Sequence, residues 1–260
     1  MKTTVSRAFV LFALLVASAF PATGAEVRVM ISGGFSAAYK QLVPEFEKAT
    51  GNKVETAYGP SMGDTPQAIP NRMERGEPVD VVIMVGSALE GLIKKGKVKA
   101  DSRVDLVESF IGAAVRAGAP KPDISTVDAF KKALLAAKSI AYSDSASGVY
   151  LSTVLFPRIG IYDQIKDKSR MIPAEPVGQV VARGEAELGF QQLSELMPVH
   201  GITIVGPLPP ELQKITIFGA GVAASSKEPD AGKALIHFLS SSKAADVIRA
   251  TGLRPIPHGD

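Results

Sequence analysis

Five times along this chain a short β-like run passes through a Gly- and Ser-rich turn straight into a helical pattern. "EVRVMI" reads as a strand and "SGGFS" as the turn. "AAYKQLVPEFEKATG" reads as a helix with Ala38, Leu42, Val43, Phe46 and Ala49 on one face and Gly51 just past its end. The unit recurs as "KVETAY" into "GPSMGDTPQ" and a helix around Ala68 to Arg75, with Asp64 read as the cap of a helix starting at Thr65. It recurs as "VDVVIM" into "VGSALEGLIKKG", with Gly96 as C-cap, as "KSIAYS" into "DSASG" and "VYLSTVLF", and as "AELGFQQ" into "LSEL". Strands alternating with helices predict an α/β protein whose parallel sheets are covered on both faces. Ligands of such sheets sit where loops leave the carboxyl ends of the strands.

A helix that begins directly after a strand presents unpaired backbone N–H groups and the positive end of its dipole, so it attracts an anion without a charged side chain. Ser and Gly in any one such loop serve as caps and turn residues. Five such loops in one chain predict a binding cleft. "SRVDLVESFIGAAVRAG" reads as a strand leaving a first lobe near Ile111 to Ala114, and "KITIFGAGVAASS" as one returning near Phe218 to Gly221. Residues 26–111 and 220–260 are then expected to build one lobe and 112–219 the other, with the ligand cleft between them.

The first residues are set apart from this pattern. Lys2 and Arg7 precede an uncharged apolar run from Ala8 to Phe20, and small residues follow to Ala25. This predicts a signal peptide over residues 1–25, cleaved after Ala25, and hence a soluble protein exported to the periplasm. The run is short for a membrane span, and no later stretch approaches the roughly 20 apolar residues that one requires. Cleavage removes two of the 29 basic residues and no acidic one, leaving 27 against 26, a net charge of +1. The basic balance of the whole chain is therefore no argument for a nucleic-acid partner. With no cysteine at all, the chain has no disulfide, thiolate nucleophile, cysteine zinc site or iron–sulfur cluster.

Over essentially its whole length after residue 25 the chain resembles a known family. The order of elements, with "FEKATG", "RGEPVDVVIM", "AEPVGQVVARGEAELGF" and the closing helices, is similar to the two-lobed type 2 periplasmic solute-binding fold, and most to the molybdate-binding proteins of ABC transporters. Within that group "PSMGDTPQAIPNR", "YSDSASGVYLS", "RMIPAEPVG" and "GFQQLSEL" resemble the bacterial periplasmic aconitate isomerases. Three positions depart from the molybdate pattern. Gly34 stands where that group has serine, Ser147 where it has alanine, and Gln192 where it has tyrosine, while the second loop, "GPSMGDTPQAIP", is longer. These changes enlarge the site and add donors, which suits a tricarboxylate better than a compact tetrahedral anion.

The resemblance implies interconversion of trans- and cis-aconitate without cofactor, metal or net redox change. The chemistry it suggests is an allylic proton shift, with rotation about a polarised double bond as the other route. The expected substrate contacts come from Gly33, Gly34, Ser61, Met62, Ser87, Ser145, Ser147, Gly148, Val177, Gln191 and Gln192, with Arg72 and Arg170 as candidate carboxylate partners. Glu175, and Tyr150 near the start of its helix, are the candidate proton carriers, against competing roles as a dipole-complementing acid and a packed aromatic. Asp144 reads as a capping residue. His200, His237 and His258 lie away from all these loops.

Phosphate-loop, H-E-x-x-H zinc and G-x-S-x-G nucleophile motifs are absent, so NTPase, zinc-hydrolase and serine-hydrolase readings are poor. Hydration by an iron–sulfur enzyme is excluded with the cysteines. The competing reading is a non-catalytic receptor that delivers molybdate, tungstate or a small carboxylate to a transporter permease, because fold alone does not separate enzyme from receptor.

Overall fold

The computed structural model describes residues 24–258. Residues 1–23, which carry nearly all of the expected signal peptide, lie outside the described residues, as do 259–260.

The strands are β1 (Glu26–Ile31), β2 (Lys53–Tyr58), β3 (Val81–Val85), β4 (Val104–Ser109), β5 (Ile111–Arg116), β6 (Ile140–Ser143), β7 (Ser169–Ile172), β8 (Leu188–Gln192), β9 (Ile202–Pro207), β10 (Thr216–Val222) and β11 (Arg254–Pro255). They form two sheets, in the orders β11-β4-β10-β3-β1-β2 and β7-β6-β8-β5-β9. The β-α units pair in parallel, β2 and β3 on β1, and β7 and β8 on β6. Each sheet also contains an antiparallel strand. β5 runs against β8 and β9, and β10 against β3 and β4. These are the strands next to the crossings, which enter each sheet from the opposite direction and make it mixed rather than purely parallel.

The helices are α1 (Gly33–Thr50), α2 (Ile69–Glu74), α3 (Gly86–Lys94), α4 (Val127–Ala136), α5 (Ala146–Tyr150), α6 (Phe156–Arg158), α7 (Tyr162–Ile165), α8 (Val177–Ala182), α9 (Leu193–Leu196), α10 (Pro229–Ser240) and α11 (Ala245–Ala250). A single π turn, Leu151–Leu155, joins α5 to α6. α2 starts after Ala68 rather than at Thr65, so Asp64 caps nothing and is exposed. α1 and α3 end as their sequences predict, with Gly51 and Gly96 in the left-handed conformation.

Alternation along the strands sends side chains to two layers of helices. In the first sheet Val29, Ile31 and Ile83 meet Phe35, Leu42 and Phe46 of α1 and Leu235 of α10, while Met30, Val82 and Met84 meet Ile69, Leu89 and Leu92. In the second, Ile111, Ile140 and Phe190 pack with Phe130, Leu151 and Phe156, and Ala141 packs with Val177, Val180 and Val181. Burying each large apolar side chain contributes about 1.5–3 kcal/mol. These two cores hold the strand ends rigid beneath the loops.

The chain crosses from the first sheet to the second at Phe110, between β4 and β5, and returns through residues 208–215. All of β10, from Thr216, lies in the first sheet, because Phe218 to Val222 register with Val85 to Val81. The return thus falls a few residues before the expected boundary at 220. Gln192 ties the crossing together: Ser109 Oγ donates to its Oε1 at 2.7 Å, and its Nε2 donates to Thr216 Oγ1 at 3.2 Å.

Candidate active site

The carboxyl ends of β1, β2, β6, β7 and β8 converge on one cleft of about 530 Å³ between the sheets, within the size range of small-ligand sites. Its walls come from Ser32 to Gly34 and Ser36 on one side, Ser143 to Ser147 on the other, and Ala174 to Pro176, Gln191, Gln192 and Glu195 at the base. A larger hollow of about 750 Å³ lies at the opposite, amino end of the first sheet. Within it Arg28 is paired with Glu26 and Glu55, and Asp80 accepts from the Ser226 hydroxyl and from the backbone N–H groups of Arg28, Lys227 and Glu228, contacts that anchor the start of α10.

Two buried serine pairs face the cleft from opposite sides. Val85 N–H donates to Ser61 Oγ, and Ser61 Oγ donates to Ser32 Oγ at 2.8 Å. Ser32 therefore accepts from behind, and its own proton is left to point into the cleft. In the other wall Ser143 Oγ and Ser147 Oγ lie 2.9 Å apart, and Gly148 N–H donates to Ser143 Oγ at 3.3 Å. A side chain at Gly148 would overlap the Ser143 carbonyl, so glycine lets this helix start press onto the end of β6. The N-cap residues Ser32 and Ser145 make no capping bond to α1 or α5, and beyond the Gly148 N–H taken by Ser143 no side chain among the described residues occupies the first-turn N–H groups of either helix.

Of the residues singled out from sequence, Gly33, Gly34, Ser145, Ser147, Gln191 and Gln192 line the cleft together, with Glu175 at its rim. Ser61, Gly148 and Val177 stand directly behind it, the Val177 N–H donating to Gln191 Oε1 at 2.9 Å. The others lie elsewhere. Met62, Ser87 and Tyr150 line a separate hollow on the far side of Ala146. Tyr150 is a packed core aromatic whose hydroxyl donates to the Leu212 carbonyl at 3.0 Å, with Lys214 over its ring. Arg72 is paired with Glu77 at 2.7 Å beside β2, and Arg170 is exposed on the edge strand β7, donating to the Glu185 carbonyl. Glu175 is exposed and paired with Arg183 at 2.6 Å.

Among the cleft residues outside the set expected from sequence are Ser32, Ser143 and Glu195. The first two end or follow strands just ahead of the quoted loops and belong to the same Ser-rich pattern. Glu195 carried only a weak signal, an acid three residues past the end of β8, which reads as a helix N-terminal residue. Its carboxyl is partly open to the cleft and takes a hydrogen bond from Gln191 Nε2 at 3.1 Å. Burial, reinforced by the charge of Asp144 and only partly offset by Gln191, pushes it up to about 7. Asp144 accepts the Ala174 N–H at 3.0 Å, holding Ala174 at a φ of 51°. The cleft lining carries Asp144, Glu175 and Glu195 and no Lys, Arg or His, while Lys40 Nζ stands 5.0 Å above the ring of Tyr58 at the edge. Anions are thus met by dipoles and hydroxyls, and a carboxyl poised near neutrality can give or take a proton.

The family model described as bacterial extracellular solute-binding protein matches residues 27–254. The chain belongs to this solute-binding family. Within it, the chain is 58% identical over 229 residues to an aconitate isomerase from a Pseudomonas species, covering 88% of this chain and 87% of that relative. It is 30% identical over 238 residues to the molybdate-binding protein ModA of Azotobacter vinelandii, covering 89% and 90% of the two chains. The solved Azotobacter vinelandii periplasmic molybdate-binding protein superposes with a TM-score of 0.71 at 22% identity, over 89% of this chain and all of that one. The two-lobed type 2 solute-binding fold follows from these matches. Among the described residues no helix is long and apolar enough to cross a membrane.

Proposed function

We propose that this protein is an aconitate isomerase acting in the cleft between its two sheets, and that trans- and cis-aconitate are its substrates. The observation that carries this reading is the 58% identity to an aconitate isomerase over nearly nine-tenths of both chains. The cleft supports it. A tricarboxylate fits its volume, and the Ser32 and Ser147 hydroxyls with the remaining first-turn N–H groups of α1 and α5 are donors for its carboxylates.

In an allylic shift, a proton leaves the methylene carbon, its electron pair forms the new C=C bond, and the old π pair takes a proton at the other end. Because the three carbons each carry a carboxylate, the product has the same constitution and only its geometry changes. Charge gathers on a carboxylate during the step, and preorganised N–H and hydroxyl donors stabilise that charge more than they stabilise the ground state.

The test uses purified protein and trans-aconitate deuterated at the methylene carbon. The expected result is cis-aconitate with one deuterium on its vinylic carbon, the former methylene, and the other delivered to the new methylene or lost to water. A product with both deuteriums on the methylene and none on the vinylic carbon would establish rotation instead. Tight binding of aconitate, or of molybdate, with no isomerisation over hours would make the protein a receptor. We further propose that the protein is periplasmic, with residues 1–25 removed on export. Intact mass of protein secreted by a bacterial host is expected to correspond to a chain beginning at Glu26.

A further inference from the structure

Four side chains lining the cleft can ionise: Tyr58, Asp144, Glu175 and Glu195. Three of them are poorly suited to move a proton. Glu175 is held by a permanent cation, Arg183, at 2.6 Å and faces solvent. Asp144 spends one oxygen on the Ala174 N–H. Tyr58 is half exposed at the edge, beneath Lys40. Glu195 differs from all of these. No cation pairs with it among the described residues, and its Oε2 has no protein donor. Its orientation is fixed from behind: Val177 N–H requires Gln191 to present its Oε1, which leaves Gln191 Nε2 to face Glu195 Oε1. From the other side α1 begins with Gly33, where any side chain would overlap the Glu195 carboxyl, so the carboxyl lies against the first turn of that helix. α9 is held there by Ser194 Oγ, which donates to the Gly34 carbonyl at 2.7 Å.

We propose that Glu195 is the group that carries the proton in the isomerisation, taking it from the methylene carbon as a carboxylate and returning it, as a carboxylic acid, to the vinylic carbon. This rests on the isomerase reading above. The step balances without any other reactant: one C–H bond breaks and one forms, the π bond moves by one carbon, and Glu195 ends in the state in which it began. A carboxyl whose protonation is balanced near neutral pH serves both halves of the transfer.

The experiment compares wild type with Glu195→Gln, which keeps the acceptor for Gln191 and removes the ionisation. The expected result is a fall in kcat of about 10²–10⁴-fold, the range for general acid–base groups, with aconitate affinity by calorimetry equal to or tighter than wild type and an unchanged fold by circular dichroism. Because a variant can fail to fold, the pH profile of wild type against Asp144→Asn is the second arm. Removing the neighbouring charge is expected to move the lower limb of kcat/KM to lower pH, a shift that an ionisation of the substrate itself would not show. Glu195→Gln with near wild-type kcat, or a limb that stays in place, would overturn this assignment while leaving an isomerase. A large loss confined to Glu175→Gln would do the same. A wild-type protein that binds aconitate but never isomerises it would overturn the isomerase reading and this assignment with it.

Discussion

The ring of Phe218 fills the space that a side chain at Gly34 would need. The two residues come from α1 and β10, at the edge of the cleft, and Phe218 is almost fully buried there. Gly34→Ser therefore overpacks the site and is expected to lower stability by about 1–3 kcal/mol in a urea melt. Combined with Phe218→Ala, it should cost less than the sum of the two single changes, because each removes the other's conflict. Strict additivity would show that the backbone yields instead.

Gln192 gives the second expectation. With Ser109 and Thr216 both buried and both bonded to its amide, Gln192→Leu keeps the volume and leaves two hydroxyls without their partner. A loss of about 1–3 kcal/mol per stranded group follows. Adding Ser109→Ala to Gln192→Leu is expected to recover part of it, as measured by the midpoint of denaturation.

A third expectation concerns pH and stability. Glu195 ionises near 7 in the fold against an ordinary value of 4.5, so folding favours its protonated form. Its contribution is fully present below about pH 4.5 and is lost as pH rises through about 7. Glu195→Gln has no such loss. The variant should melt with wild type near pH 4.5 and above it at pH 8. Parallel melting curves across that range would show that the carboxyl is not desolvated.

Asp144 supplies a fourth. It accepts the Ala174 N–H, and Ala174 occupies the left-handed region, which costs an alanine roughly 1–2 kcal/mol. Ala174→Gly is expected to relieve that strain and to leave the melting temperature equal or higher. Ala174→Val should lower it.

How far the sequence discloses this arrangement depends on the range of the interaction concerned. Apolar runs such as Val81 to Val85, bounded by turn residues, announce buried strands, and the loops after them mark the cleft, because both features are local. Tyr150 lies at the start of the expected helix, yet its direction is set by Leu212, 62 residues away. Arg72 and Arg170 have partners nearby in the chain, Glu77 and Glu185, which hold them in pairs outside the cleft. Glu195 was hidden for the opposite reason. Its neighbour Gly33 lies far back in the chain, and its desolvation exists only once α9 has docked on α1. The three departures from the molybdate pattern were visible, but their physical meaning differs from one to the next. Gly34 makes room for Phe218, Gln192 ties the crossing strands, and Ser147 lines the cleft with its hydroxyl.

α9 follows β8 in the second sheet but is stitched to α1 of the first by Ser194. Glu195 therefore sits on the seam between the two halves, aimed by Gln191 of the second sheet and covered by the first turn of α1 from the first. If the halves part to admit substrate, the Ser194 tie breaks and α1 uncovers the carboxyl, water reaches it, and its affinity for protons falls toward that of a free glutamate. The acid would be cocked only when the jaws are shut, so proton exchange with bulk water and proton transfer on the substrate would belong to different moments of the cycle.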